Sequence, residues 1–139
     1  MTRFVLDASV ALRWFLGEQV PDYATRVRKA MEGGAQARVP ALWHLEMANG
    51  LALAERRGVL AASDVEHSVL EIDNMLARWI DSDNSLVAVR QALAAARPFV
   101  LTAYDAVYLN LAGREGLPLA TLDSRLRAAA PRAGIHLFA

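Results

Sequence analysis

Residues 3–17, RFVLDASVALRWFLG, open with a short apolar run that stops at an acidic residue, Asp7. The first five residues have the aromatic and β-branched composition of a β-strand. The ten that follow place Val10 and Trp14 on one helical side, and the closing glycine is typical of a helix end. The stretch therefore predicts a strand that runs directly into a helix over residues 8–17, with Asp7 at the junction.

The rest of the chain repeats this alternation of strand and helix. The predicted helices are PDYATRVRKAMEGG (21–34), ALWHLEMANGLALAERRG (41–58), SDVEHSVLEIDNMLARWI (63–80), NSLVAVRQALAAAR (84–97), TAYDAVYLNLAGREG (102–116) and SRLRAAA (124–130). The further predicted strands are ARVP (37–40), LPLATLD (117–123) and GIHLFA (134–139). Because strands separated by helices are joined by right-handed parallel crossovers, the predicted fold class is α/β with a central parallel sheet.

Two of these helices have recognisable capping signals at their starts. Ser63 and Glu66 have the spacing of a capping box, and Thr102 is a candidate N-cap residue. In the long helix over residues 41–58, Leu42 and Leu45 belong to the side that we expect to be buried.

Composition indicates a single folded domain, over residues 1–139, without thiol chemistry. The chain has 55% hydrophobic residues, and with 139 residues it is long enough for one core. It has no cysteine, which excludes disulfides and thiolate metal sites. Its apolar runs are too short to span a bilayer, and Asp7 and Arg13 interrupt the N-terminal run that a signal peptide would need. We therefore expect a cytoplasmic protein that does not contact a membrane.

The charge balance limits how the protein could bind nucleic acid. The formal net charge is +0, and the sequence pI is about 6.8. A broad basic face that neutralises many phosphates is therefore excluded, and only a local basic patch is possible.

Four carboxylates lie where solvated charges are unusual. Asp7 and Asp123 each end a predicted strand, Glu46 lies between apolar residues inside a helix, and Asp105 shares a helix face with residues such as Tyr108. In an open parallel sheet, ligands collect at the carboxyl ends of the strands. If the two helices reach the same end, all four carboxylates converge in one pocket.

Each carboxylate also has a simpler explanation. Asp7 and Asp123 could be N-caps of the helices that follow them, and Asp105 could complete a capping box with Thr102. Glu46 is too far from a helix start to be a cap, but it could lie on an exposed side.

Convergence of the four carboxylates would have an energetic cost that a cation removes. Two unit charges about 5 Å apart repel by roughly 3 kcal/mol at an effective dielectric constant near 20, so the cluster requires raised pKa values or a bound cation. Oxygen ligands without cysteine suit Mg²⁺, with Mn²⁺ as a substitute.

Four segments together resemble the PIN-domain ribonucleases, and most closely the VapC-type toxins of bacterial toxin–antitoxin pairs. They are VLDASVALRWFL, VPALWHLEMANGL, LTAYDAVYLNLA and LPLATLDSRL, in the family's order and spacing over essentially the whole chain. The resemblance implies a PIN-like fold in which helices flank a parallel sheet of about four or five strands. Asp7, Glu46 and Asp105 match the family's three core acids as metal ligands and catalytic residues, and Asp123 matches its more variable fourth acid. Ser9 and Thr121 match supporting hydroxyl positions near that site.

The resemblance also implies a function and partners. We expect a Mg²⁺-dependent endoribonuclease toxin of a type II toxin–antitoxin system, which binds RNA as substrate, forms a homodimer and is neutralised by a small antitoxin protein. A catalytically inactive PIN-like module that binds RNA or protein, and a PIN nuclease that is not a toxin, remain alternatives. A phosphatase or receiver domain also begins with a strand ending in Asp, but Ser9 replaces the second acid of the phosphatase motif and no lysine lies near the C-terminus.

Overall fold

Helices and strands alternate along the chain, in agreement with the sequence pattern. The computed structural model describes residues 2–17 and 19–139. The strands within them are β1 (Arg3–Leu6), β2 (Gln36–Pro40), β3 (Ile80–Asp83) and β4 (Leu119–Ala120). The α-helices are α1 (Ala8–Ala11), α2 (Asp22–Glu32), α3 (Ala41–Arg56), α4 (Ala62–Arg78), α5 (Val89–Ala96), α6 (Ala103–Glu115) and α7 (Ser124–Arg132).

The strands form one parallel sheet in the order β3-β2-β1-β4. This arrangement confirms the predicted α/β class with a four-stranded parallel sheet flanked by helices. β2 lies on one side of β1, whereas β4 lies on the other side. The chain therefore reverses its direction of winding between β1 and β4, and in open α/β sheets a crevice opens at that place.

One predicted strand is replaced by another that the sequence pattern did not indicate. The prediction ended a helix at Ile80 and assigned no strand there, but residues 80–83 form β3 and pair with β2 from Ala37 to Pro40. By contrast, the predicted strand over residues 134–139 forms only an isolated β-bridge with the sheet, between Leu119 and Leu137. IDSD has only one apolar residue, so its pairing depends on β2 and is invisible to a hydrophobic pattern.

The last residues nevertheless cover the free edge of β4. The Leu119 amide donates to the His136 carbonyl at 2.9 Å, and the Phe138 amide donates to the Leu119 carbonyl at 2.9 Å. The Phe138 ring stacks on Phe4 of β1, with 4.0 Å between ring centroids. Burial of this apolar contact holds the segment against the sheet without a regular fifth strand.

The end of α1 and the start of α4 differ from the sequence predictions. The helix expected over residues 8–17 ends at Ala11 and continues only as a 3₁₀ turn over Leu12–Trp14. The capping box expected at Ser63 and Glu66 is wrong, because α4 begins earlier. Its first turn is stabilised instead by Asp64, whose carboxylate accepts the Ala61 amide at 2.9 Å.

The buried side of α3 is also rotated relative to the prediction. Trp43, Met47 and Leu51 are buried, whereas Leu45 is 71% exposed. The pattern was ambiguous because apolar residues occupy most positions of this helix. The Thr102 cap of α6 is confirmed, since its hydroxyl accepts the Asp105 amide at 3.1 Å.

None of the helices in the described ranges, 2–17 and 19–139, has the length and apolar composition required to cross a bilayer.

Asp83 forms the best-paired acidic site of the sheet. Its carboxylate lies at the end of β3, where it accepts a hydrogen bond from Arg114 at 2.8 Å and from the Ser85 hydroxyl at 2.7 Å. Arg38 adds a second positive charge 3.9 Å away. The hydrogen bond from Arg114 is the main cause that lowers the pKa of Asp83 to about 2, from an ordinary value of 3.8. Asp83 therefore stays ionised and stabilises the fold.

We predict that Asp83→Asn lowers the free energy of unfolding at pH 7 by about 1 to 2 kcal/mol. The loss is this small because solvent around the exposed Arg114 side chain screens its ion pair with Asp83. A carboxylate whose pKa is depressed in the folded state stabilises the protein above the pKa of the unfolded chain, and this contribution is lost as the pH falls towards 2. Urea unfolding at pH 7, 5 and 3 measures the free energy of unfolding of both proteins. The difference between Asp83→Asn and wild type should become smaller below pH 4. The exposed Asp81→Asn is the control, and a pH-independent difference for Asp83→Asn would contradict the assignment.

Candidate active site

The crevice between β1 and β4 is lined by the residues that follow these two strands. Asp7 follows β1 directly, and its amide donates to the Ala120 carbonyl of β4 at 2.9 Å. Thr121 and Asp123 follow β4. Residues 114 positions apart in the sequence are therefore neighbours because adjacent parallel strands end at the same edge.

Asp7 is buried, with 4% of its surface exposed, and accepts two hydrogen bonds from hydroxyl groups. Its Oδ2 atom accepts from the Ser9 hydroxyl at 2.6 Å and from the Thr121 hydroxyl at 2.7 Å. Although Asp7 occupies the N-cap position of α1, its side chain makes no capping hydrogen bond. The alternative explanation of Asp7 as a cap is therefore wrong, and both hydroxyl residues predicted to lie near this site contact its carboxylate.

Burial is the main cause that raises the pKa of Asp7. Hydrogen bonds from Ser9 and Thr121 oppose this shift because they favour the ionised form, and the nearby charge of Asp105 adds to it. Burial therefore destabilises the ionised form of Asp7 through loss of solvation, and the hydrogen bonds from the two hydroxyl groups offset only part of this cost.

Glu46 reaches the same crevice from α3 because that helix lies very close to the segment after α1. Gly50 is one turn beyond Glu46 on the same face, and a Cβ atom at Gly50 would lie 2.5 Å from Leu12 Cδ2. The Glu46 carboxylate is half-buried and accepts a hydrogen bond from the Tyr108 hydroxyl at 2.5 Å. Burial raises the pKa of Glu46, the Tyr108 hydrogen bond opposes the rise, and the charges of Asp7 and Asp105 add to it.

Asp105 and Asp123 complete the acidic group from α6 and α7. Burial raises the pKa of Asp105, and the charge of Asp123 raises it further. The Thr102 hydroxyl and the charge of Arg125 oppose this rise. Each of the four predicted acids therefore interacts electrostatically with at least one other.

Asp123 has a second role that the sequence had left open. Its Oδ1 atom accepts the Leu126 amide at 2.9 Å, which caps the N-terminus of α7. The capping explanation is therefore confirmed for Asp123, although it is wrong for Asp7.

The acids of the crevice differ from Asp83 in their partners. Asp83 has two arginines and a lowered pKa, whereas burial raises the pKa of Asp7, Glu46 and Asp105. Within residues 2–17 and 19–139, no lysine or arginine forms an ion pair with these three carboxylates or with Asp123. Among the described residues, the crevice therefore concentrates negative charge without an ion-paired cation, and the charge of Arg125 near Asp105 offsets only part of it.

The donor chemistry of the crevice fits a hard divalent cation, but its arrangement is not a closed cage. Carboxylate and hydroxyl oxygens are the ligands that Mg²⁺ and Mn²⁺ prefer. In the part of the chain that the structure describes, no three Asp, Glu or His side chains are arranged so that they could hold a metal ion by themselves. Mg²⁺ commonly binds through one or two carboxylates and completes its shell with water and substrate phosphate, so an open group of this kind is compatible with it.

Tyr108 is the site residue that the sequence reasoning did not assign. It was placed only as a neighbour of Asp105 on one helix face, but its hydroxyl contacts Glu46. A buried tyrosine hydroxyl needs a polar partner, and Tyr108 lies three residues after Asp105 on the same face of α6. These two facts together were a usable signal.

Comparison with known proteins agrees with this geometry. The family model of the PIN domain matches residues 4–131, a range that contains all four acids of the crevice. The crystal structure of PAE2754 from Pyrobaculum aerophilum is similar to this chain, with a TM-score of 0.66 and 24% sequence identity over 91% of this chain and 85% of that chain. At this identity the similarity supports the fold alone. No curated protein matches the sequence. The family match, over most of the chain and across the whole acidic crevice, shows that this protein belongs to the PIN domain family.

Proposed function

We propose that the protein is a Mg²⁺-dependent endoribonuclease that acts in the cytoplasm as the toxin of a type II toxin–antitoxin system. PIN domains are generally nucleases, so the family match supports hydrolase activity. The observation that carries the proposal is the crevice itself, in which Asp7, Glu46 and Asp105 are brought together with raised pKa values and without an ion-pairing cation. A purely structural cluster would gain stability from the kind of arginine partner that Asp83 has.

The carboxylates suit the hydrolysis of a phosphodiester. A bound divalent cation would supply a Lewis acid for the phosphate oxygens and lower the pKa of a coordinated water. Asp7, Glu46, Asp105 and Asp123 would hold that cation through carboxylate oxygens, and the Ser9 and Thr121 hydroxyls keep Asp7 in one orientation. Glu46 is half-buried and has a raised pKa, so it is suited to accept a proton from the attacking water.

A metal requirement is the first test of this proposal. We expect purified protein to cleave RNA in Mg²⁺ or Mn²⁺ and to lose all cleavage in EDTA. Within residues 2–17 and 19–139, no arginine or lysine forms an ion pair with these carboxylates, so a metal ion is needed to offset the charge of an incoming phosphate. Cleavage of a labelled RNA, followed by gel electrophoresis, measures this. Undiminished cleavage in EDTA would refute the metal mechanism, provided that an Asp105→Asn preparation purified in parallel shows no contaminating nuclease.

The Asp105→Asn variant should also separate a functional carboxylate from a structural one. Removing one charge beside Asp123 relieves repulsion, so the melting temperature in EDTA should be unchanged or higher, while cleavage in Mg²⁺ falls at least about 100-fold. Asp123→Ala provides the contrast, because loss of the α7 cap should lower the free energy of unfolding by about 1 kcal/mol. An Asp105→Asn protein that melts lower but cleaves RNA at a near wild-type rate would show that Asp105 mainly stabilises the fold.

Exposed apolar side chains support the proposed homodimer. Leu86 is 89% exposed and Val89 is 79% exposed, and Leu93 lies one turn after Val89 on α5. Large apolar surfaces on one side of a small protein are typical of interfaces. We propose that this side, around α5, contacts a second copy of the chain.

The second proposed partner is a small antitoxin that places a basic side chain at the acidic crevice. An arginine suits this role because its guanidinium can bind carboxylates through two hydrogen bonds.

We expect light scattering to give the mass of two chains for the purified protein, and co-expression of a small neighbouring reading frame to abolish its toxicity. Val89→Arg should produce monomers, whereas Val59→Arg, an exposed apolar position in the turn after α3, should not. A wild-type monomer at all concentrations would refute the dimer, and toxicity unaffected by the neighbouring frame would refute the antitoxin.

A further inference from the structure

Tyr108 is buried in the core, yet its hydroxyl belongs to the acidic crevice. None of its surface is exposed, so the hydroxyl cannot exchange hydrogen bonds with bulk water. A buried hydroxyl without partners would destabilise the fold by roughly 1 to 3 kcal/mol. The partners of this hydroxyl are therefore specified by the fold.

Both partners of the hydroxyl belong to the site. It donates a hydrogen bond to Glu46 Oε1 at 2.5 Å, and it accepts the amide of Ala8 at 3.4 Å. Ala8 follows Asp7 directly and begins α1. The Tyr108 hydroxyl thus joins three elements, α3, α6 and the junction between β1 and α1, at one atom.

Glu46 depends on this contact for its orientation. Among the described residues, Tyr108 is the only hydrogen-bond donor to the Glu46 carboxylate, and no cation forms an ion pair with it. A free glutamate has three side-chain torsions, and the charges of Asp7 and Asp105 repel its carboxylate from the crevice. Without the hydroxyl, no hydrogen bond or ion pair from residues 2–17 and 19–139 holds the side chain there.

We propose that Tyr108 is a positioning residue whose hydroxyl holds the Glu46 carboxylate in the crevice, beside Asp7 and Asp105, in the orientation needed to bind a divalent cation. This inference rests on the proposed metal-dependent function. Residues that orient metal ligands typically change metal affinity or activity by 10-fold to 100-fold when they are replaced.

Tyr108→Phe removes the hydroxyl and keeps the ring that fills the core. We expect Mn²⁺ affinity, measured by electron paramagnetic resonance of free Mn²⁺ without any RNA, to fall at least about 10-fold. RNA cleavage by this variant should need correspondingly more metal and recover at saturating Mn²⁺. Tyr23→Phe is the matched control, because the Tyr23 hydroxyl also donates one hydrogen bond, to the Phe138 carbonyl at 2.5 Å, away from Glu46. Tyr23→Phe should bind Mn²⁺ as tightly as wild type, even if its melting temperature falls as much as that of Tyr108→Phe.

A double-mutant cycle tests whether Tyr108 acts through Glu46. In a Glu46→Ala background the carboxylate is gone, so Tyr108→Phe should cause no further loss of Mn²⁺ affinity. An equal additional loss in that background would overturn the inference, because it would show that the hydroxyl affects the crevice in another way.

A measurement on the wild-type protein avoids any dependence on the folding of Tyr108→Phe. The chain has three tyrosines, so Tyr23→Phe and Tyr104→Phe identify the remaining signal in ¹³C-tyrosine nuclear magnetic resonance spectra as Tyr108. We expect that signal to shift when Mg²⁺ is added and the signal of exposed Tyr104 to remain. Suppose that the wild-type protein binds Mn²⁺ and cleaves RNA. An unmoved Tyr108 signal, or a Tyr108→Phe variant with the Mn²⁺ affinity of wild type, would then overturn this inference alone. A wild-type protein that neither binds Mn²⁺ nor cleaves RNA would overturn the proposed function together with it.

Discussion

The hydrogen bond from Thr121 to Asp7 is the interaction on which the arrangement of the crevice depends. It joins the end of β1 to the end of β4, across the point where the sheet reverses its winding. The same threonine hydroxyl accepts the Asp123 amide at 3.0 Å, and the Ser9 hydroxyl accepts the Leu122 amide at 3.0 Å. Two hydroxyl groups therefore fix both a buried carboxylate and the loop that leads into α7.

Around this interaction, the protein treats its acidic residues in two opposite ways. The carboxylate of Asp83, at the far edge of the sheet, is neutralised by arginines and strengthens the fold. In the crevice, burial is the main cause that raises the pKa of Asp7, Glu46 and Asp105, and the charge of at least one neighbouring carboxylate raises each of these pKa values further. Proteins concentrate such unfavourable arrangements at functional sites, where stability is exchanged for activity.

The sequence was sufficient for the fold class and for the position of Asp7 and Asp123, whereas the convergence of Glu46 and Asp105 depended on contacts between elements that it did not specify. Strand-to-helix junctions and parallel topology follow from local patterns, so Asp7 and Asp123 could be assigned to one edge of the sheet. β3 could not be found this way, because IDSD gains its strand conformation from pairing with β2. The difference between Asp7 and Asp123 was equally hidden, since both occupy N-cap positions and only the Asp123 side chain forms the capping bond. Likewise, the partner of Tyr108 is 62 residues away in the sequence.

The sheet order also determines when the crevice can form during synthesis. Asp7 is made early, but its Thr121 partner lies 114 residues later, and β1 has no neighbour on that side until β4 has been translated. Contacts of such long sequence separation form only after the intervening chain is available. A nascent chain in which β4 has not yet been made therefore carries Asp7, Glu46 and Asp105 without the assembled crevice. The crevice is completed by β4, so in this topology it assembles only after the elements that precede β4 have been made.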